Sequence, residues 1–499
     1  MRKLLQVFTM LLSISFLLSC KDSDDMMIPD MNIQGPDLMV YGITGNNELV
    51  SFNANNPKVF VSKTAVSGIS SGEKLLSIDF RPATGELYAL SSASKLYIIN
   101  PTTISARVVS ATSFTPAISG SVVSIDFNPT VDRIRMVSNT GQNLRIHPET
   151  GAVVATDMNI NGAGTPSIAG VAYTNSKSGA STTVLYDIDM ASGKLFKQDP
   201  PNNGTLVEIG TLGTTFTGQA AFDIKYDNSA ALLALNNSLH LLDLNNGKAT
   251  PIGMLQQQII DLAIPTEAVA YAVDNSNNLQ IFNPNNPMPV TKMISGLQSG
   301  ENILGIDFRP ANGQLYALGS SSRLYTINLG TGAATSVGSS AFPTLLSGTD
   351  FGFDFNPVVD KIRVVSNTGQ NLRLDPVTGG ITATDAILNP GSPMISAAAY
   401  TNNSAGASAT TLFVIDHNTD NLYQQNPPNN GTLTETGALG INISSANGFD
   451  IGSMSQKAYL MATVGTATKI YSVNTSTGAA TPVSDFPNAV RGFTVGLGF

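Results

Sequence analysis

Two residue types recur in this 499-residue chain in patterns that could do chemistry. The first is arginine. The run VSNTGQNLR stands at Val137 to Arg145 and again, unchanged, at Val365 to Arg373, and a further arginine, Arg135 or Arg363, lies two residues ahead of each copy. Guanidinium forks beside the amides of Asn139, Gln142 and Asn143, or of Asn367, Gln370 and Asn371, suit an anionic or hydroxyl-rich ligand in a central pocket. The second is aspartate: Asp79, Asp126 and Asp223 in the first half, and Asp307, Asp354 and Asp450 in the second, all share a D-F or D-I context. Paired carboxylates suffice to cleave a glycosidic bond, so these acids admit a carbohydrate-active hydrolase. Their equivalent settings argue against it, because a catalytic acid and its partner need different environments to hold different pKa values. A structural reading competes with both. An arginine between packed strands must have its donors satisfied, and the inner-strand aspartates are its expected partners through two parallel hydrogen bonds. On that reading Asn139 to Gln142 form a turn whose side chains bond their own backbone.

Other chemistries find little support. His147, His240 and His417 fall at unrelated positions without ligand spacing, so no histidine zinc site is expected. Asp187 and Asp189 in YDIDM lack the ligand-rich loop and bidentate Glu of an EF-hand. No glycine-rich phosphate loop follows a strand and opens a helix. The chain has no tryptophan to form a stacking platform, although its 13 tyrosines can substitute in part. We therefore expect no metal, no cofactor and no assigned catalytic residue.

A repeated β architecture must position these side chains. Residues 266–499 align with residues 37–265 nearly end to end: SIDFRPATGELYAL with GIDFRPANGQLYAL, and DPPNNGTL with NPPNNGTL. Each half divides again at a period of about 45 residues, the length range of a four-stranded propeller blade. In the second half, ILGIDFRP, QLYALGS, RLYTIN and AATSVG read as four short antiparallel strands. The link between third and fourth strands opens on Asn, Asp or His and closes on Gly four residues later: His147 and Gly151, Asp243 and Gly247, Asn328 and Gly332, Asp375 and Gly379, Asn474 and Gly478. The first side chain accepts from nearby backbone N–H groups, and the glycine takes the positive φ that ends the turn. Ten blades follow, anchored near Tyr41, Tyr88, Arg135, Tyr186, Leu233, Tyr271, Tyr316, Arg363, Phe413 and Tyr459. In this register Arg135 and Arg145 take the places of Tyr88 and Tyr97, and Arg363 and Arg373 those of Tyr316 and Tyr325.

The first blade of each half lacks its own innermost strand, and IIDLAIP (259–265) or GFTVGLGF (492–499) is placed to supply it. Closing each ring this way removes two open edges. The expected fold is therefore all-β, two tandem five-bladed β-propellers; a single ten-bladed propeller closed only by residues 492–499 uses the same strands. The blade pattern is similar to that of the quinoprotein and surface-layer propeller superfamily. More closely, DFRP, LYAL and TGQNLR together resemble a bacterial family of domains of unknown function expected to form propellers, a resemblance that implies no reaction. The PPNNGTL runs at Pro200 to Leu206 and Pro427 to Leu433 read as rigid outer turns.

The N-terminus MRKLLQVFTMLLSISFLLSC has a basic start, an apolar segment shorter than the roughly 20 residues of a membrane span, and a cysteine at its end. It resembles the lipobox of bacterial lipoproteins, which implies a signal peptide over 1–19 and lipidation at Cys20, the only cysteine of the chain. Residues 20–36 read as an acidic, disordered tether. Its acidic cluster resembles the signal that sends some Gram-negative lipoproteins to the cell surface, so an outer-membrane, surface-exposed lipoprotein is expected. The formal charge of −9 becomes −11 once Arg2 and Lys3 are removed with residues 1–19. Such a surface is poorly suited to nucleic acid. The function expected is a lipid-anchored binding or scaffolding module with a glycan or protein ligand, and the membrane is a partner through the anchor.

Overall fold

The computed structural model describes residues 33–499, where forty strands form ten four-stranded antiparallel sheets. The signal segment, Cys20 and the tether up to residue 32 lie outside the described residues. Eight sheets are runs of four consecutive strands, each one blade. The other two close the rings. Asp261–Ala263 pairs with Met39–Ile43, the first strand of the first half, and Val490–Val495 pairs with Ala270–Asp274, the first strand of the second. The innermost strands then touch in two separate cycles of five, so the protein is two five-bladed propellers in tandem. A ten-bladed ring is ruled out because Asp261–Ala263 already completes the first cycle.

The second closing strand begins two residues before the predicted GFTVGLGF and stops at Val495. The remaining residues run on to the first ring, where Gly498 N–H donates to Thr84 O at 2.7 Å. The blade anchors also need one adjustment. Nine of the ten lie directly opposite the same inner-strand position, but Leu232, not Leu233, faces Asp223.

Strand alternation explains the core. Each strand turns one row of apolar side chains toward each neighbouring blade, so the buried clusters form between blades rather than within them. Tyr88 of the second blade packs edge-on against Phe127 of the third, with ring centroids 5.1 Å apart, and Tyr316 against Phe355 repeats the contact in the second ring. The turns between third and fourth strands follow the sequence rule: Asp375 Oδ1 accepts from the N–H groups of Val377 and Thr378, and Gly379 has φ 71°.

The two rings dock where the second blade of the first ring meets the first and second blades of the second. Ala83 of the first ring belongs to the apolar cluster of the second, and the Tyr271 hydroxyl donates to its carbonyl at 2.8 Å. Arg81, fully buried, donates to Gly313 O at 3.1 Å and pairs with Asp132 and Glu149.

Candidate functional site: axial carboxylates and a buried arginine lock

The six inner-strand aspartates meet at the two ring axes, each at most 4% exposed. Inner strands of adjacent blades do not pair as a ladder, so the inward N–H groups need acceptors from elsewhere. The aspartates supply them. Asp79 accepts from Phe127 N–H at 2.7 Å, Asp126 from Tyr173 at 3.1 Å and Asp223 from Ile264 at 2.6 Å, always on the next inner strand. In the second ring Asp307 accepts from Phe355, Asp354 from Tyr400 and Asp450 from Val495, at 2.8, 2.9 and 2.7 Å. Two residues earlier on each strand a second tier of the first ring repeats the device: Ser77 accepts from Ile125 N–H, Ser124 from Val171 N–H, and Asp261 from Ile78 N–H. Asp261 is a further axial carboxylate that sequence reasoning missed, because it stands two positions out of register with the other six.

Burial, reinforced by neighbouring carboxylates, holds Asp79, Asp126, Asp307 and Asp354 well above the ordinary carboxylate range. Burial pushes Asp223 up to about 7, Asp261 to about 8 and Asp450 to about 6. One oxygen from each of the three repeated aspartates in a ring lies within 4.8 Å of the others, a spacing that suits the ligands of a hard cation. All are shifted upward, and burial is the largest cause in each case.

The arginines stand elsewhere, between the third and fourth blades. Arg135 and Arg363 are 2% exposed. Their partners are not the inner-strand aspartates expected from sequence but Asp157 and Asp385, just beyond the outermost strand of the same blade. Arg135 Nη1 donates to Asp157 at 2.5 Å and to Asn143 Oδ1 at 2.8 Å, its Nη2 to Asn202 at 2.8 Å, and its Nε to the Tyr173 hydroxyl at 3.3 Å. Arg363 repeats the set with Asp385, Asn371, Asn429 and Tyr400. The inner aspartates are out of play because they are committed to the axis. Burial raises Asp385, but hydrogen bonds and charge from Arg373 and Arg363 outweigh it and hold the carboxyl below its usual value.

This arrangement explains both repeated motifs at once. Asn202 and Asn429 belong to the PPNNG turns of the fourth blades, so VSNTGQNLR and PPNNGTL are two sides of one contact. The Tyr to Phe edge contact of the preceding blade pair is exchanged here for Arg to Tyr. A signal for the missing carboxylates was present: Ala-Thr-Asp ends the outermost strand at 155–157 and again at 383–385.

Three expectations are corrected. Arg145 and Arg373 lie opposite Arg135 and Arg363, which places them at the level of Ile98 and Thr326 rather than Tyr97 and Tyr325, so one tyrosine per blade is exchanged. Both remain partly exposed and grip Asp157 or Asp385 from outside through Nε and Nη2. Asn143 and Asn371 do not face an axial pocket: fully buried, they donate to Met158 O and Pro201 O, or to Ala386 O and Pro428 O. Asn139, Gln142, Asn367 and Gln370 stand apart from the arginine cluster and reach across to the preceding loop, as Gln142 does to Ala117 O and Ser119 N–H. Gly141 and Gly369, with φ of 84° and 81°, let the chain turn there. In the second ring Arg363, Arg373, Tyr400 and Asn429 also border a pocket of about 220 Å³.

Fold and side-chain organisation define the class: a tandem pair of five-bladed propellers whose axes are sealed by carboxylates. Within that class the chain belongs to a family described as Domain of unknown function (DUF4394), matched twice, at residues 48–263 and 278–494. No curated protein matches the chain. Among solved structures it is similar to the extracellular domain of BT4673 from B. thetaiotaomicron, at 11% identity and a TM-score of 0.25, covering 89% of this chain and 58% of that one. It is also similar to PorZ, a surface component of the type-IX secretion system of Porphyromonas gingivalis, at 13% identity and a TM-score of 0.27, covering 91% and 59%. The chain thus spans less than two thirds of either structure, and overlaps this loose say nothing of ligand or activity.

Proposed function

We propose that the protein is a surface-exposed, lipid-anchored double propeller that acts as a binding or scaffolding module for a glycan or protein ligand. One observation carries this reading: the groups best suited to chemistry, Arg135, Arg363 and the axial aspartates, are buried and engaged in joining blades. What remains for a partner is the rigid outer surface, its loops and the junction of the rings. The N-terminal pattern supports the anchor, and the net negative charge disfavours nucleic acid. Blocking lipoprotein signal peptidase with globomycin should shift the processing of the wild type, and Cys20→Ala should abolish that shift. Normal processing of the variant, or protection from protease added to intact cells, would remove the anchored surface reading. A hydrolase using Asp126 or Asp354 is the competing class. Turnover of an aryl glycoside that disappears in Asp126→Asn would establish it in place of the binding module.

A further inference from the structure

A cleft of about 420 Å³ lies where the two rings meet and falls in the size range of small-ligand sites, roughly 300–1,000 Å³. One wall is the second blade of the first ring, including Glu86 and Arg107. The other is the loop at residues 403–408, which follows an inner strand of the second ring. Neither ring alone contains the site.

Three side chains give the cleft its chemistry. Asn403 is 2% exposed, yet its Oδ1 is buried with no hydrogen-bond partner among the described residues. A buried amide oxygen in that state is costly until a donor reaches it. Glu86 accepts from Arg107 at 3.0 Å and from the Thr84 hydroxyl at 3.0 Å, which leaves acceptor capacity on both carboxylate oxygens. Arg107 also donates to Ala311 O at 2.9 Å, tying the wall to the second ring. The two charges offset each other, so the site favours a neutral ligand rich in hydroxyl donors.

The duplicated halves differ at these positions. The residues equivalent to Glu86, Arg107 and Asn403 are Gln314, Thr335 and Ser176, so the charged pair and the unpartnered amide occur only in the copies that face the cleft. We infer that the junction cleft is a binding site for a neutral saccharide, with the Asn403 amide oxygen and the Glu86 carboxylate accepting its hydroxyl groups. This rests on the reading of the protein as a binding module and names its site and ligand class.

The test is calorimetric titration of the mature chain with maltose, cellobiose and N,N′-diacetylchitobiose, beside Asn403→Ser and Glu86→Gln. Each variant installs a residue the fold already carries in its other copy, and circular dichroism verifies folding. The expected result is saturable binding of a neutral disaccharide, weakened about tenfold or more in both variants, with hydrogen exchange slowed in residues 403–408 of the wild type. Binding that is equal in wild type and variants overturns the cleft while leaving the module reading intact. No binding of any of the three probes overturns the saccharide assignment; the anchored module is decided separately by the processing of Cys20→Ala.

Discussion

Asp187 should be a liability that the second copy of the sequence has already removed. It is fully buried between the third and fourth blades, and neither carboxylate oxygen has a hydrogen-bond partner among the described residues. Burial holds its pKa well above the ordinary range, although the charge of Arg135 pulls the other way. At the same strand position the second ring carries Val414, also fully buried, within the apolar cluster of its third and fourth blades. Asp187→Val should therefore stabilise the first ring. Removing an unsatisfied buried polar group is worth about 1–3 kcal/mol, and β-branched valine suits the strand. Taking ~2 kcal/mol, and a shift of about 2–4 °C per kcal/mol for a unit of this size, the thermal midpoint should rise by about 4–8 °C. The gain also has a pH signature. A carboxyl raised in the folded state lends its stability below the unfolded pKa and loses it as pH rises, so the advantage of valine should grow from about pH 5 to about pH 8. Calorimetry across that range is the assay. A lower midpoint, or a gain independent of pH, would refute the reasoning by showing that the carboxylate is ionised and partnered in the folded protein.

Two more outcomes follow from the same geometry. Because Asp450, Asp223 and Asp261 are raised to about 6, 7 and 8, their contribution to stability is complete below the unfolded carboxylate pKa, about 4, and is lost as pH climbs through those values. Each group adds a slope of about 1.4 kcal/mol per pH unit within its window, so urea midpoints should be higher near pH 5 than near pH 8.5, and the reverse order would contradict the buried axis. Deleting residues 490–499 should open the second ring by removing its closing strand, exposing the edge at 270–274 and promoting association. A monomer with an unchanged unfolding profile would show that the ring does not depend on that strand.

Much of this molecule was legible in the sequence because propeller blades are local objects. Alternation in ILGIDFRP and QLYALGS fixes which side chains face the neighbouring blades, and a turn rule such as Asp375 to Gly379 works without distant partners. Ring closure was legible for the same reason, since a blade short of one strand demands a strand from elsewhere. The arginine partners were harder. Asp157 and Asp385 follow outer strands, where acids ordinarily face water, and only the folded blade brings them under Arg135 and Arg363. Asn202 and Asn429 looked like turn formers and are also acceptors for the neighbouring blade. The junction cleft could not be read at all, because it depends on how two similar rings dock, and that is set by contacts such as Arg81 to Gly313 across 232 residues.

The central claim is that the duplicated motif locks the third blade to the fourth and does not bind a ligand. A double-mutant cycle on Arg135→Met and Asn202→Ala in urea unfolding, run beside titration with glucuronate, tests it most directly. The lock predicts a loss of about 1–3 kcal/mol for Arg135→Met, because the Asn143, Asn202 and Tyr173 oxygens lose a buried charged donor while Asp157 keeps Arg145, and a coupling of about 0.5–3 kcal/mol to Asn202, with no glucuronate binding to lose. Additive single losses, together with glucuronate binding that vanishes in Arg135→Met, would contradict it.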